Sequence, residues 1–193
     1  MPLHTEDLAL GHRLSKIYTR TGDAGTTGLA DGSRVAKNAQ RIVTLGDIDE
    51  LNSLIGAILV HELEPLLRER FIDIQHALFD IGGELAVPGA VTVSEHYVGS
   101  LECALDEYNE TLPPLKEFIL PGGGPAAVAT HIARAVARRA ERSLVSLGEE
   151  TDVNEHSRRY INRLSDFLFV VARVLARADH GEVYWERGRN RAE

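Results

Sequence analysis

Residues 41–61 read RIVTLGDIDELNSLIGAILVH, and the apolar side chains of this segment recur at steps of three and four residues. That spacing is the period of an amphipathic helix with one face on a core. The apolar positions are Leu45, Ile48, Leu51, Ile55, Ile58 and Leu59. The pattern predicts a first long helix over 41–61.

Four more segments share this period, and prolines, glycines or capping residues mark their ends. The second helix is predicted from Pro65, whose missing N–H is tolerated in a first turn, to about Leu85. Ser94 is placed to cap the third helix, which should end before the two prolines at 113–114. These ends predict short connections between the helices.

The fourth helix is predicted from Pro125 to about Gly148, and the fifth from a cap at Asn154 to a point before Gly181. The core positions expected on the fourth helix are Val128, Ile132, Val136 and Leu144. Five helices of about 18 to 25 residues with short loops predict an all-α, five-helix bundle formed by a single domain.

Composition excludes several classes of function. The 193 residues carry a formal net charge of −8, so the chain has no general attraction for a phosphate backbone or an anionic membrane. The first sixteen residues lack the continuous apolar segment of a secretory signal. We expect a soluble, cytoplasmic protein with no nucleic-acid and no membrane partner. The single cysteine, Cys103, is expected to be a small core residue on a helix.

Residues 18–29, YTRTGDAGTTGL, precede all five helices and hold three glycines and four threonines. The backbone N–H groups and hydroxyls of such a loop suit the oxygens of a phosphate chain, along which Arg20 and Lys37 could lie. The segment is not a P-loop, because the G-x-x-x-x-G-K-[ST] spacing is absent. A flexible surface turn is the alternative, and the segment alone leaves both open.

The fourth helix contains HIARAVARRAER, residues 131–142, in which the four permanently charged basic side chains are all arginines. Arg134, Arg138 and Glu141 share a face that points away from the expected core positions. A solvated charged face is one explanation. The planar guanidinium, which fits phosphate or carboxylate oxygens, favours an anion site instead.

Polar side chains also interrupt two other helices. The fifth carries Asn162 and Asp166 one turn apart beside an apolar run, although both residue types are poor in a helix interior. The first carries GDIDELNS, which includes Asp49. Both patterns indicate a site, and a polar outer face is the alternative for the first helix.

A second glycine-rich connection, PGGG at 121–124, directly follows EFIL. Phe118 therefore lies at the edge of a loop, where it either plugs the core or supports a large planar ligand. The histidines are scattered and no Glu-x-x-His pair occurs, so no metal site is predicted. Because no serine or cysteine stands in a nucleophile setting, the nucleophile of an enzyme would come with a cofactor.

Five segments taken together resemble the ATP:cob(I)alamin adenosyltransferase family of the propanediol-utilisation type. In chain order they are IYTRTGDAGTTGL, RVAKNAQRIVTLGDIDELNSLIG, FILPGGG, ARAVARRAER and NRLSDFLFVVAR. The resemblance covers about residues 16–187. Ala137 stands where a cysteine is common, and Ala24 where a lysine is frequent, but we assign chemistry to neither position.

The resemblance implies a ferritin-like, cobalamin-adenosyltransferase-like bundle over 17–190 behind an N-terminal extension at 1–16. It implies a homotrimer with active sites between subunits. Residues implied to enclose the triphosphate are Thr19, Arg20, Thr21, Gly22, Thr27, Gly28 and Lys37. Residues implied to complete the ATP site are Arg138, Arg139, Glu141, Arg142 and Asn162. Arg134 would pair with Asp49 of the partner subunit, and Phe118 would lie under the corrin ring and exclude its axial base.

The resemblance also implies the reaction. A Co(I) corrinoid attacks the 5′ carbon of ATP, triphosphate leaves, and adenosylcobalamin forms, while Mg²⁺ and protein cations stabilise the triphosphate charge. Delivery of the product to a cobalamin-dependent mutase is a further implication. Two other functions stay open, a corrinoid carrier that holds adenosylcobalamin and a nucleotide-sensing helical module that binds no corrinoid.

Overall fold

The computed structural model describes residues 18–190, and the predicted N-terminal extension at 1–16 lies outside that range. Its five helices are α1 Gln40–Leu59, α2 Pro65–Ala86, α3 Glu95–Glu110, α4 Pro125–Gly148 and α5 Glu155–Ala178. Packed neighbours run in the order α2, α1, α4, α5, α3 around one core. The predicted all-α, five-helix bundle is confirmed.

Most helix ends carry the predicted signals. Pro65 and Pro125 occupy the first turns of α2 and α4. The Asn154 side chain caps α5 by accepting a hydrogen bond from the backbone N–H of His156 at 3.0 Å. Ser94 precedes α3, but its hydroxyl makes no capping bond. The helix ends were therefore predictable from residue type, although the hydrogen bonds that cap them were only partly so.

The structure corrects two predictions about the core. Val136 and Leu144 of α4 are buried as expected, but Val128 and Ile132 face outward, and Ile132 is 50% exposed. The inward positions are instead Ala133, Ala137 and Ala140. Because α4 packs closely on both α1 and α5, small side chains fill its inner face, and a search for large apolar residues overlooks them. Cys103 is also exposed on α3 rather than buried.

Two small antiparallel sheets lie outside the helices. Strands β1, Thr26–Gly28, and β2, Arg34–Ala36, form a hairpin ahead of α1. The hairpin tip is fixed to the bundle, since the backbone N–H of Ala30 donates to the carbonyl of Ala86 at 3.0 Å. Strands β3, Ile119–Leu120, and β4, Val183–Tyr184, join the segment before α4 to the tail after α5.

None of the helices in the described range is long and apolar enough to cross a membrane. The longest apolar run, at the end of α5, contains the charged side chains of Arg173 and Arg177. The apolar surface of the helices is used for packing inside the bundle instead.

Glu84 of α2 holds together the loop that precedes α3 and the start of α5. Its buried carboxylate accepts hydrogen bonds from the backbone N–H groups of Thr92 at 2.6 Å and Val93 at 2.7 Å. The Asn154 amide and the Ser157 hydroxyl donate to the same carboxylate. One side chain thus satisfies four donors in the interior.

We expect Glu84→Ala to lower the free energy of unfolding by on the order of 3 kcal/mol, because buried donors lose their acceptor. Urea denaturation with an unchanged m-value would measure this change. Glu69→Ala, at an exposed position of the same helix, is the matched control and should stay within about 0.5 kcal/mol of the parent. Equal effects of the two substitutions would contradict the role given to Glu84.

Candidate active site

Most of the predicted site residues fall into three regions of the structure. We call residues 18–38, with the β1–β2 hairpin, the hairpin loop. The arginine face is defined by Arg134, Arg138, Glu141, Asn162 and Asp166 on α4 and α5. The aromatic edge is defined by Phe118, Leu120, Tyr184 and Trp185 around the β3–β4 sheet.

The hairpin loop is folded around two basic side chains. The guanidinium of Arg34 donates to the carbonyl of Thr21 and to the hydroxyl of Thr26, both at 2.7 Å. The ammonium of Lys37 lies over Gly22, where an added Cβ would come within 3.1 Å of the lysine Nζ. Gly22 and Lys37 are therefore brought together as predicted, and glycine leaves the room that the ammonium occupies. Arg34 was missed by the sequence analysis.

The start of the hairpin loop is held in an uncommon conformation. Arg20 has a φ of 59° and is the only non-glycine residue between 18 and 190 with a positive φ. Its guanidinium lies 5.6 Å from the ring centroid of Tyr18. The hydroxyls of Thr19 and Thr21 are hydrogen-bonded to each other at 2.9 Å. Left-handed backbone at a residue other than glycine is costly and is concentrated at binding sites. The other two residues predicted here, Thr27 and Gly28, lie in β1.

The arginine face presents two guanidinium groups without an acidic partner. Among residues 18–190, no carboxylate lies within ion-pair distance of Arg134 or Arg138. Both arginines line a cleft of about 250 Å³ with Asp166 and Phe169. Arg134 is half-buried, and its Nε is buried without a hydrogen-bond partner. Burial, and after it the charge of Arg138, lowers the pKa of the Arg134 guanidinium. The cleft therefore favours an anion.

Polar partners on the two helices orient the rest of this face. The side-chain amide N–H of Asn162 donates to the Glu141 carboxylate at 2.6 Å, and Arg163 donates to the side-chain oxygen Oδ1 of Asn162 at 2.9 Å. Arg142 donates to the backbone carbonyl of Arg138 at 2.9 Å. Glu141 and Asn162 are thus brought together, as the predicted ATP site requires. The poor helix formers on α5 were a usable signal for this site.

Two of the predicted residues lie elsewhere in a single copy of the chain. Arg139 faces α1, where its Nε donates to Asp47 at 2.9 Å and its guanidinium also pairs with Glu50. Asp49 is exposed on α1 and lines a groove with Phe79 of α2. The structure does not bring Asp49 and Arg134 together within one copy.

Phe118 is 79% exposed, which excludes the alternative that it plugs the core. Its ring meets that of Trp185 edge-on, with the centroids 6.4 Å apart. The backbone N–H of Trp185 donates to the carbonyl of Phe118 at 2.8 Å. Gly123 has a φ of 97°, and a Cβ there would lie 2.9 Å from both the Ala176 Cα and the Gly181 carbonyl. The glycine run therefore lets the Phe118 segment press against the end of α5.

Comparisons with known sequences point to one family. The family described as Cobalamin adenosyltransferase matches residues 17–175. A cobalamin adenosyltransferase from Cupriavidus metallidurans is 57% identical over 182 residues, which cover 93% of this chain and 99% of that protein. A corrinoid adenosyltransferase from Bacillus subtilis is 45% identical over 181 residues, which cover 89% of this chain and 93% of that protein.

Solved structures of a PduO-type ATP:corrinoid adenosyltransferase from Lactobacillus reuteri share the fold. A phenylalanine-to-alanine variant complexed with cobalamin and ATP matches with a TM-score of 0.82 and 34% identity, covering 89% of this chain and 100% of that one. An arginine-to-lysine variant complexed with ATP matches with a TM-score of 0.81 and 35% identity, covering 88% and 99%. The family resemblance drawn from the motifs is confirmed, and the chain belongs to the cobalamin adenosyltransferase family.

Proposed function

We propose that this chain transfers the 5′-deoxyadenosyl group of ATP to the cobalt of cob(I)alamin, giving adenosylcobalamin and triphosphate. The observation that carries the proposal is the pair Arg134 and Arg138, which lack an acidic partner within residues 18–190 and face a cleft of the size of a small ligand. The family supports it, since the similar L. reuteri enzyme is solved with cobalamin and ATP. The solved variants of that enzyme replace one phenylalanine and one arginine. Phe118 and Arg138 are residues of the same two types in the proposed site.

The reaction balances as a nucleophilic substitution. The electron pair of Co(I) forms the bond to the 5′ carbon of ATP, the bond from that carbon to oxygen breaks, and triphosphate leaves with the pair. The cobalt is formally oxidised from I to III. Arg138 and Lys37 would stabilise the charge that builds on the leaving group, and Asn162 and Glu141 would orient the nucleotide. The strained loop at Thr19, Arg20 and Thr21 would close over the phosphates.

Mg²⁺ fits this site as a companion of the triphosphate. Between residues 18 and 190, no group of three or more histidine, cysteine or acidic side chains is arranged to hold a metal ion. Mg²⁺ is commonly held by substrate phosphates, waters and one or two carboxylates. The arginine face carries two carboxylates, Glu141 and Asp166, and we assign Glu141 to such a shell because it lies against Asn162 of the predicted ATP site. The bound ion would neutralise charge on the triphosphate.

We also propose a homotrimer, because two faces of the chain are complementary. One face is the groove of about 560 Å³ between α1 and α2, where Asp49 lies beside Phe79, which is 73% exposed. The other is the cleft between α4 and α5, where Arg134 lies beside the apolar Phe169. An acid with an apolar neighbour on one copy can meet an arginine with an apolar neighbour on the next. A head-to-tail contact generates a ring when the rotation between copies closes, and we propose that it closes after three copies here.

Charge reversal tests the pair across this interface. Arg134→Asp or Asp49→Arg alone should weaken the trimer, at a cost of about 3–5 kcal/mol for a charge left unpaired at a buried contact. The double variant should restore assembly. Analytical ultracentrifugation over a dilution series measures the effect, with Glu107→Arg on exposed α3 surface as the control. A double variant no better than the two single variants would contradict the pairing.

At the aromatic edge, the exposed ring of Phe118 would lie against the lower face of the corrin and exclude its axial base. The family's adenosyl product would then pass to a cobalamin-dependent mutase, and a cytoplasmic location fits the supply of ATP. A corrinoid carrier would bind the product without consuming ATP. A nucleotide-sensing module would bind ATP without regard to cobalamin.

An anaerobic assay with ATP and chemically reduced cobalamin separates these functions. We expect triphosphate and adenosylcobalamin to form in equal amounts. Phosphate analysis measures the triphosphate, and the absorbance change on forming the cobalt–carbon bond measures the adenosylcobalamin. Bound corrinoid without triphosphate would identify a carrier. Bound ATP unaffected by cobalamin would identify a sensor, and either result would contradict the transferase.

A further inference from the structure

A buried carboxylate in the tail after α5 is held by three donors. The side chain of Glu182 is 1% exposed and accepts hydrogen bonds from Arg173 at 2.6 Å, Arg177 at 3.0 Å and Tyr184 at 3.0 Å. The Arg173 side chain is itself 5% exposed. Burial alone would raise the pKa of Glu182, but the three hydrogen bonds outweigh it and hold the pKa below its ordinary value. Glu182 is therefore ionised at neutral pH.

This network joins the segments on both sides of Phe118. Arg173 donates a second hydrogen bond to the carbonyl of Pro113 at 2.9 Å, where the chain leaves α3. Tyr184 lies opposite Ile119 in the β3–β4 sheet. The residue after Tyr184 is Trp185, whose ring and backbone both contact Phe118. The position of the Phe118 ring thus depends on where Glu182 holds the tail.

We propose that Glu182 is a positioning residue for corrinoid binding, which fixes the aromatic edge so that Phe118 presents its ring in one orientation. The inference rests on the proposed function. An exposed ring cannot be fixed by core packing, so its support must come from the backbone beneath it and from Trp185. A buried carboxylate that accepts from three donors fixes one position of the tail. An apolar side chain of the same volume would stabilise the tail equally well but would not fix its position.

Glu182→Gln tests the proposal, because glutamine keeps the shape and an acceptor oxygen but loses the charge that orients Arg173 and Arg177. We expect the KM for cobalamin to rise about tenfold or more while the KM for ATP stays within about twofold, since misplacement by an ångström carries penalties of this order. The absorbance signature of the base-free corrinoid should weaken. Trp185 is the only tryptophan of the chain, so its fluorescence reports the tail directly, and its emission should shift.

Two further variants keep the test decisive. Glu95→Gln is the control, because Glu95 pairs with Arg159 near the start of α5. Arg159 precedes Arg173 by 14 residues and so lies about 21 Å from it along the helix. This variant should change neither the two KM values nor the fluorescence. If Glu182→Gln does not fold, Tyr184→Phe removes one donor from a half-exposed ring and should shift both readouts in the same direction. Equal changes in the two KM values, or an unchanged Trp185 emission, would overturn the proposal.

Failure of the proposed function would look different. In that case the parent protein itself would form no adenosylcobalamin, while the emission of Trp185 would still report whether Glu182 holds the tail.

Discussion

Arg138→Ala should lower kcat for adenosyl transfer by roughly 10²- to 10³-fold, the range found when one preorganised donor to a developing negative charge is removed. The side chain is exposed on α4 and lies in the cleft that it shares with Arg134. In the described part of the chain it has no carboxylate partner, so its charge is available to a ligand. Alanine is the best helix former, so α4 should keep its structure.

Single-turnover kinetics with ATP in excess would measure the chemical step, and sedimentation would show whether the proposed trimer is kept. Arg138→Lys should recover only part of the rate, because an ammonium keeps the charge but loses the planar fork. Arg158→Ala, at an exposed arginine on α5 outside the proposed site, is the matched control. Normal kinetics in Arg138→Ala would remove the phosphate role from the arginine face.

Phe118→Ala should bind ATP normally yet slow product formation by about 10²-fold, equivalent to about 2.7 kcal/mol of barrier. The physical reason is exclusion. An axial donor stabilises the higher oxidation state of cobalt, so a ring that keeps the donor away makes the reduced nucleophile easier to form. Truncation to alanine removes that ring, which is exposed and meets the ring of Trp185 edge-on.

The absorbance spectrum of the bound corrinoid, recorded with saturating ATP, checks this prediction. The base-free signature should be lost in Phe118→Ala and largely kept in Phe118→Leu, which retains apolar bulk. Leu115→Ala removes another exposed apolar side chain from the same segment and should leave the spectrum unchanged. An unchanged spectrum in Phe118→Ala would refute the exclusion argument.

The fold was predictable because, in four of the five helices, large apolar residues recur on the face that is buried. On α4 the same reasoning chose Val128 and Ile132, which are exposed, because the helix approaches its neighbours through alanines. Alanine carries too little hydrophobic signal to mark a face by period alone.

Residues of the candidate site could be predicted where an unusual residue type interrupts a helix. They could not be predicted where the contact forms only because a hairpin or turn brings distant parts of the chain together. Asn162 signalled itself as a poor helix former and lies against Glu141. Arg34 gave no such signal, because its role is to bond backbone that a hairpin folds back onto it. The contact of Arg173 with Glu182 depends likewise on the turn after α5, although an arginine inside an apolar run was a clue.

We propose that the site is divided between copies, because within one copy the hairpin loop is fixed to the end of α2 whereas the arginine face lies on α4 and α5. Lys37→Ala and Arg138→Ala, each inactive alone, should therefore complement each other when the two variants are co-expressed with different tags and purified as mixed trimers. A mixed trimer should show roughly a third of the parent activity, because one of its three contacts joins an intact loop to an intact arginine face. Mixed trimers no more active than either variant alone would contradict a shared site.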